Sequence, residues 1–136
     1  MSVIKLSMVY VGMLAGFLVI DLVWLGVVAR SMYRKHLGYL MAPQVNWGAA
    51  IVFYLVFVFG LFFFAVLPGI ETKALAKTLV SGCLFGVLCY ATYDLTNLAT
   101  IKQWPLAITL IDMVWGAVLS TCVTAIGFAL AKWLSP

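Results

Sequence analysis

The chain has 136 residues, of which 66% are hydrophobic and 9% are charged, and its mean hydropathy is +1.19. A soluble domain is only about 45–50% apolar and could not cover this much apolar surface, so a water-soluble fold is excluded and the lipid bilayer is the expected partner. The formal charge of +4 would suggest nucleic acid in a soluble chain, but basic residues that anchor loops at a membrane interface explain it, and no nucleic-acid partner is expected.

Apolar segments follow one another along the chain, and each is long enough to cross a hydrocarbon core, which takes roughly 20 helical residues. Strands are not expected, because the alternating segments of about ten residues that build a membrane barrel are absent. We therefore predict an all-α fold, a four-helix transmembrane bundle that forms a single integral membrane domain over residues 1–136. The predicted spans are residues 8–29, 47–67, 79–101 and 106–132.

Small residues recur at helical spacing in these spans. Gly12 and Gly16 lie in the first span, and Gly82 and Gly86 lie in the third. Such pairs let helix backbones approach closely in lipid, so we interpret them as packing positions without chemistry. The second span is almost entirely aliphatic and aromatic from Ile51 to Val66. We expect it to be the most lipid-exposed of the four.

The longest connection, residues 30–43, separates the first two spans. Tyr33 and Leu37 belong to a set of apolar residues that recur with helical spacing, while most basic residues fall elsewhere. This pattern is typical of a short helix lying in the membrane interface. We predict such a helix here and expect Pro43 to end it. The connection around residues 102–103 is so short that the third and fourth spans should form an antiparallel hairpin.

Most familiar chemistries lack their motifs in this chain. Cys83, Cys89 and Cys122 lie inside apolar spans without a Cys-x-x-Cys spacing, so neither a disulfide framework nor a thiolate metal site is expected. Serine nucleophile elbows, phosphate-binding glycine loops and histidine-rich boxes are absent. We assign no catalytic residue, no cofactor and no metal, and whether the protein is an enzyme stays open.

The strongly polar residues at membrane depth are predicted to converge on one level. Asp21, Asp94 and Asp112 lie in three different spans, each about 10 Å inside a span end on the same side, at a helical rise of about 1.5 Å per residue. Ionisable groups at this depth are costly to insert and should face the bundle interior. The candidate ligand-binding residues are Asp21, Trp24, Asn46, Tyr90, Asp94, Asn97, Asp112 and Trp115.

An indole follows two of these acids by one helical turn. Trp24 follows Asp21, and Trp115 follows Asp112. A buried indole N–H is only a donor and seeks an acceptor on a facing helix. We therefore predict reciprocal hydrogen bonds, Asp21 with Trp115 and Asp112 with Trp24.

Three interpretations of this polar layer remain open. The residues could simply pin the helices together, with Arg30 or Arg34 reaching down to neutralise one Asp. They could line a polar cavity that carries protons or recognises a cation. They could also give oxygen ligands to Mg, Ca or Mn, although no motif indicates a metal.

The acids and indoles belong to longer motifs, namely Asp21-Leu22-Val23-Trp24, Tyr93-Asp94-Leu95-Thr96-Asn97, Trp104-Pro105 and Asp112 with Trp115-Gly116. On these motifs, nearly the whole chain resembles a small family of four-span bacterial membrane proteins catalogued as a domain of unknown function, the 2177 family. The resemblance implies a location in the bacterial inner (plasma) membrane. It brings no established activity and no catalytic residue.

From these observations we predict a small polytopic membrane protein whose carboxylate layer binds or transports a small cationic or polar ligand. Four short helices are too few to surround a wide pathway, so transport would call for a homodimer. One alternative is a membrane enzyme or enzyme subunit that acts on lipids, with Arg30 or Arg34 holding an anionic headgroup. Another is an assembly subunit that docks on a larger membrane complex.

The orientation in the membrane is not determined by charge. With an even number of spans, both ends of the chain should lie on one side. Basic residues are balanced between the two sides, so the positive-inside rule gives no firm orientation. The two sets are Arg30, Arg34, Lys35 and Lys102 on one side and Lys5, Lys73, Lys77 and Lys132 on the other.

Overall fold

The structure is a computed structural model that describes residues 1–136, and it contains helices and no strands. Four of the helices are long and apolar enough to cross a membrane, and one short helix joins the first two. The predicted all-α bundle with an interfacial helix is therefore confirmed. The spans are Val3–Val28, Trp47–Thr72, Leu75–Thr100 and Leu106–Leu134, and the interfacial helix is Arg30–Leu37.

Local interactions set the span ends more precisely than hydropathy does. Asn46 caps the second span, because its side chain accepts a hydrogen bond from the Ala49 amide at 3.1 Å. This span runs past its predicted end at residue 67 and stops at Thr72, where Lys73 adopts a left-handed backbone conformation with φ of 52°. The interfacial helix ends at Leu37 and not at Pro43, since a glycine, a poor helix former, follows directly.

Two spans contain a π-helical turn. One turn, Trp24–Val28, ends the first span, and the other, Phe62–Val66, lies within the second. The second comes just before Pro68, which has no N–H and whose ring disturbs the helical bonding of the preceding turn. The first ends with the Ala29 amide bonded to the Trp24 carbonyl at 2.7 Å. Such turns are frequent at functional sites, and nothing in the apolar pattern of the sequence indicated them.

The third and fourth spans form the most extensive helix pair, the antiparallel hairpin that the short connection predicts. Gly82 faces Thr124, and Gly86 faces Ser120 and the Gly116 carbonyl. Side chains larger than hydrogen at these glycines would force the two backbones apart, so the glycines act as the packing positions expected.

The first span packs on the fourth, where Gly12 and Gly16 face Leu130 and Ile126. At its start, Lys5 Nζ donates a hydrogen bond to Ser135 Oγ at 3.1 Å, so the first and last residues lie at the same end of the bundle.

The second span is not the most lipid-exposed, and that expectation is wrong. Its most apolar stretch is 39% buried, compared with 17% in the first and third spans. The phenylalanine-rich second half, which begins at Phe57, packs into the core with Val58 and Leu61. The first half, residues 47–56, contains no fully buried residue. The two halves of one helix therefore have different neighbours.

Candidate functional site

A cavity of about 400 Å³ lies among the spans, next to the interfacial helix, and all four spans contribute to its walls. Asp21 and Asp112 are its acidic residues, and no basic residue lines it. Its volume is within the range of small-molecule sites, roughly 300–1,000 Å³. The aromatic lining residues are Trp24, Tyr33, Phe53, Tyr54, Tyr90, Tyr93 and Trp115.

Asp21 is held in this cavity by the first span, and only 7% of its surface is exposed. The Trp115 indole lies beside its carboxyl group, but the indole N–H has no partner within hydrogen-bonding geometry. The structure therefore brings the predicted pair of Asp21 and Trp115 together, although the indole N–H is not aligned for a regular hydrogen bond. Burial removes most of the water that would otherwise solvate this carboxyl group, and no basic residue of the cavity pairs it.

Asp112 is joined to Trp24 through a third residue, Tyr33 of the interfacial helix. The Tyr33 hydroxyl donates a hydrogen bond to Asp112 Oδ1 and accepts one from Trp24 Nε1, the latter at 3.2 Å. Burial, followed by the hydrogen bond to Asp112, raises the pKa of the Tyr33 phenol, so its hydroxyl stays protonated and remains a donor. The direct Asp112–Trp24 bond expected from the sequence is replaced by this relay.

Trp24 and Trp115 stack on each other across the first and fourth spans. Their ring centroids are 4.3 Å apart and the ring planes differ by 9°. Trp24 opens the π-helical turn, which changes the helical register just where the ring meets its partner. The stacked pair forms a flat apolar wall of the cavity that Asp21 and Asp112 also line.

Asp94 does not line this cavity but lies next to Asp112, which does. It is completely buried, and neither of its carboxyl oxygens has a hydrogen-bond partner. Two adjacent buried carboxyl groups are costly to charge together. No three His, Cys, Asp or Glu side chains lie close enough together to hold a metal ion, so the three acids share a level without forming one ligand cluster.

Tyr90 lies near all three acids, Asp21, Asp94 and Asp112, which come from three different spans. Its ring packs against Gly116, where a larger residue would displace it. Of the predicted site residues, the structure thus brings together Asp21, Trp24, Tyr90, Asp94, Asp112 and Trp115.

The other predicted residues lie outside the cavity. Asn46 is exposed and caps the second span, and Asn97 is half-buried without lining the cavity. Arg30 and Arg34 are exposed and make no ion pair with an acid of the layer. Arginine does not neutralise the carboxylates.

Several lining residues were not identified from the sequence. Phe53 and Tyr54 lie in a stretch that is apolar on every face, so periodicity gives no sign of which face is inside. Tyr93 is adjacent to Asp94 in the sequence and cannot share its helix face, yet it lies three residues after Tyr90, a spacing that places both rings on one helix face. That spacing was the available signal.

The family model described as "Predicted membrane protein (DUF2177)" matches residues 6–129. The chain belongs to this family. The match includes every cavity residue, and it confirms the resemblance carried by the aspartate and tryptophan motifs. No curated protein and no solved structure matches the chain.

In this DUF2177 protein, the cavity combines negative charge with the faces of several aromatic rings. Aromatic π faces and carboxylates both attract positive charge. An anion would meet Asp21 and Asp112 with no basic residue to offset them. The arrangement therefore favours an organic cation over an anion.

Proposed function

We propose that this membrane protein binds a small organic cation of the substituted-ammonium class in the aromatic cavity. The observation that carries the proposal is that Asp21 and Asp112 share one cavity with seven aromatic side chains and no basic residue. Cages of aromatic rings recognise quaternary ammonium groups, because the ring faces replace the water that the cation loses. Asp21 supplies a buried carboxyl group that no basic residue of the cavity pairs.

The proposal predicts that tetramethylammonium binds to the purified protein in nonionic detergent. Asp21→Asn and Asp112→Asn should each weaken binding by about tenfold or more, since each removes a buried charge worth at least about 1.4 kcal/mol to a paired cation. Titration calorimetry measures both. Glu71→Gln is the matched control, because Glu71 is the one acid outside the layer and is exposed.

Two results would overturn this function. The first is the absence of binding by the wild-type protein of any tetraalkylammonium ion small enough for the cavity. The second is an affinity that falls as much in Glu71→Gln as in the two Asp variants, which would indicate a general surface-charge effect.

A second candidate function is exchange of the cation for a proton, and the Asp94–Asp112 pair favours it. Because two adjacent buried carboxyl groups are costly to charge together, a cation that binds against Asp112 would favour the release of a proton from the pair. Proton release on cation binding, followed with a pH indicator in weak buffer, should therefore disappear in Asp94→Asn. Equal release by the wild type and this variant would exclude exchange through the pair.

We also propose the inner membrane of a bacterium as the location, which the resemblance of the motifs supports. The homodimer, the lipid-acting enzyme and the assembly subunit stay predictions from the sequence.

A further inference from the structure

The cavity has an incomplete wall on the side of the second span. Residues 47–56 of that span contain no fully buried residue, although burial begins at the next residue, Phe57. Leu25, Phe53 and Tyr93 come from three different spans, line the cavity and are 41%, 47% and 59% exposed. At this depth in a span, an exposed side chain faces lipid. The cavity is therefore open sideways, toward the bilayer.

The route from the membrane interface is obstructed by Tyr33. This side chain projects from the interfacial helix into the cavity and is held there by its hydrogen bonds to Asp112 and Trp24. Trp24 is fixed in turn by stacking on Trp115. A ligand that came from the water would have to break this relay, whereas one that came from the bilayer would not.

The sideways opening and the acids are complementary to one kind of molecule. The opening beside Phe53 and Leu25 presents only apolar and aromatic surface, which suits a hydrocarbon chain. The interior presents Asp21 within an aromatic wall that contains no basic residue to pair it. An apolar entrance that leads to an unpaired buried carboxylate matches a molecule with one alkyl chain and one cationic head.

We propose that the ligand is an amphipathic ammonium compound with a single alkyl chain, which enters from the bilayer. Its head lies against Asp21, and its chain leaves the cavity between Leu25 and Phe53. This inference rests on the proposed function, because it names the class of cation that the same cavity binds. It adds that the cavity tolerates a long substituent in one direction only.

The test compares tetramethylammonium with octyltrimethylammonium, below its micellar concentration, in nonionic detergent with protein-free micelles as the blank. We expect both ions to bind and to compete for one site, because the chain leaves through the opening. Ala50→Phe adds a ring to the cavity wall on the first half of the second span. In this variant, the affinity for octyltrimethylammonium relative to tetramethylammonium should fall about tenfold, because the ring excludes a few methylene groups of the chain.

Val52→Phe is the matched control, because Val52 is exposed on the same half of the span and does not line the cavity. In Val52→Phe, the ratio of the affinities for the octyl and methyl ions should equal that of the wild-type protein. Leu25→Phe narrows the opening from the first span and replaces Ala50→Phe if that variant does not yield folded protein by size-exclusion chromatography.

The outcomes separate the two proposals. If tetramethylammonium binds but the octyl ion is excluded, or if the ratio is unchanged in both narrowing variants, the sideways entry is overturned and the cation site stands. If neither ion binds the wild-type protein, the cation site itself fails.

Discussion

Tyr33 joins two side chains that do not bond each other directly in the structure. The Trp24 indole can only donate a hydrogen bond, and the Asp112 carboxylate can only accept one, while a hydroxyl does both. Because Tyr33 belongs to the interfacial helix and its partners belong to the first and fourth spans, the relay also fixes that helix to the bundle. A residue of the interfacial helix is thereby bonded to a carboxyl group of the fourth span.

Tyr33→Phe should therefore lower the free energy of unfolding by about 1 kcal/mol, the size of a strong polar contact between membrane helices. The phenyl ring keeps the packing but leaves the Trp24 N–H and one Asp112 oxygen without their partner. Denaturant titration in detergent measures the change. The control is Tyr39→Phe, whose hydroxyl bonds the Gln103 carbonyl at 2.6 Å on the exposed surface. Equal losses in the two variants would show that the relay has no special role.

At the scale of the elements, the third and fourth spans of the hairpin approach each other closely at Gly86. A Cβ atom at Gly86 would meet the Gly116 carbonyl and the Ser120 side chain. The carbonyl belongs to a helix backbone and cannot rotate away, so the helices would have to separate. Asp94 and Asp112 lie on these two spans, and their adjacency depends on the same separation.

Gly86→Ala should destabilise the protein by about 1–3 kcal/mol, as overpacking of a tight contact does. Gly26→Ala is the control, because a Cβ added there has no atom within 4 Å; it should be neutral or slightly stabilising, since alanine is the better helix former. The thermal midpoint in detergent reports both. A Gly86→Ala protein as stable as Gly26→Ala would contradict the close approach.

The spans, the hairpin and the common level of the acids could be predicted, because bilayer thickness and backbone hydrogen bonding leave few alternatives for so apolar a chain. The aromatic wall could not be predicted in the same way. Around Phe53 every face of the helix is apolar, so composition does not distinguish lipid from cavity. The π-helical turn at Trp24–Val28 changes the helical register just after Asp21, the acid of the first span. Relations between side chains of different helices, such as the Tyr33 relay, have no signature in one sequence.

At the scale of the molecule, the two ends of the bundle are chemically different. The end with the interfacial helix holds the acid layer, and the other end joins the beginning and the end of the chain through Lys5 and Ser135. Glu71, in the last turn of the second span, lies at this second end, and the connection that contains Gln44 lies at the first.

Single cysteines can test this arrangement after Cys83, Cys89 and Cys122 are replaced by alanine. In intact cells, an impermeant maleimide should label Glu71→Cys and Ser135→Cys to the same extent, because both lie at one end. Gln44→Cys should be labelled to the complementary extent, whether the protein inserts in one orientation or, as its balanced charges allow, in both. Equal and complete labelling of Gln44→Cys and Glu71→Cys would place both ends of the second span on one side of the membrane and would contradict this order of spans.

The loosely packed first half of the second span has a consequence for selectivity. The first, third and fourth spans carry all three acids, while the second contributes only Ala50, Phe53 and Tyr54 to the cavity. The position of the acids is therefore fixed by the other three spans, and the width of the site depends on a half-helix that contains no fully buried residue. A site built in this way discriminates strictly by the sign of a ligand's charge and loosely by its bulk, so cations of quite different sizes should compete for the same carboxylates.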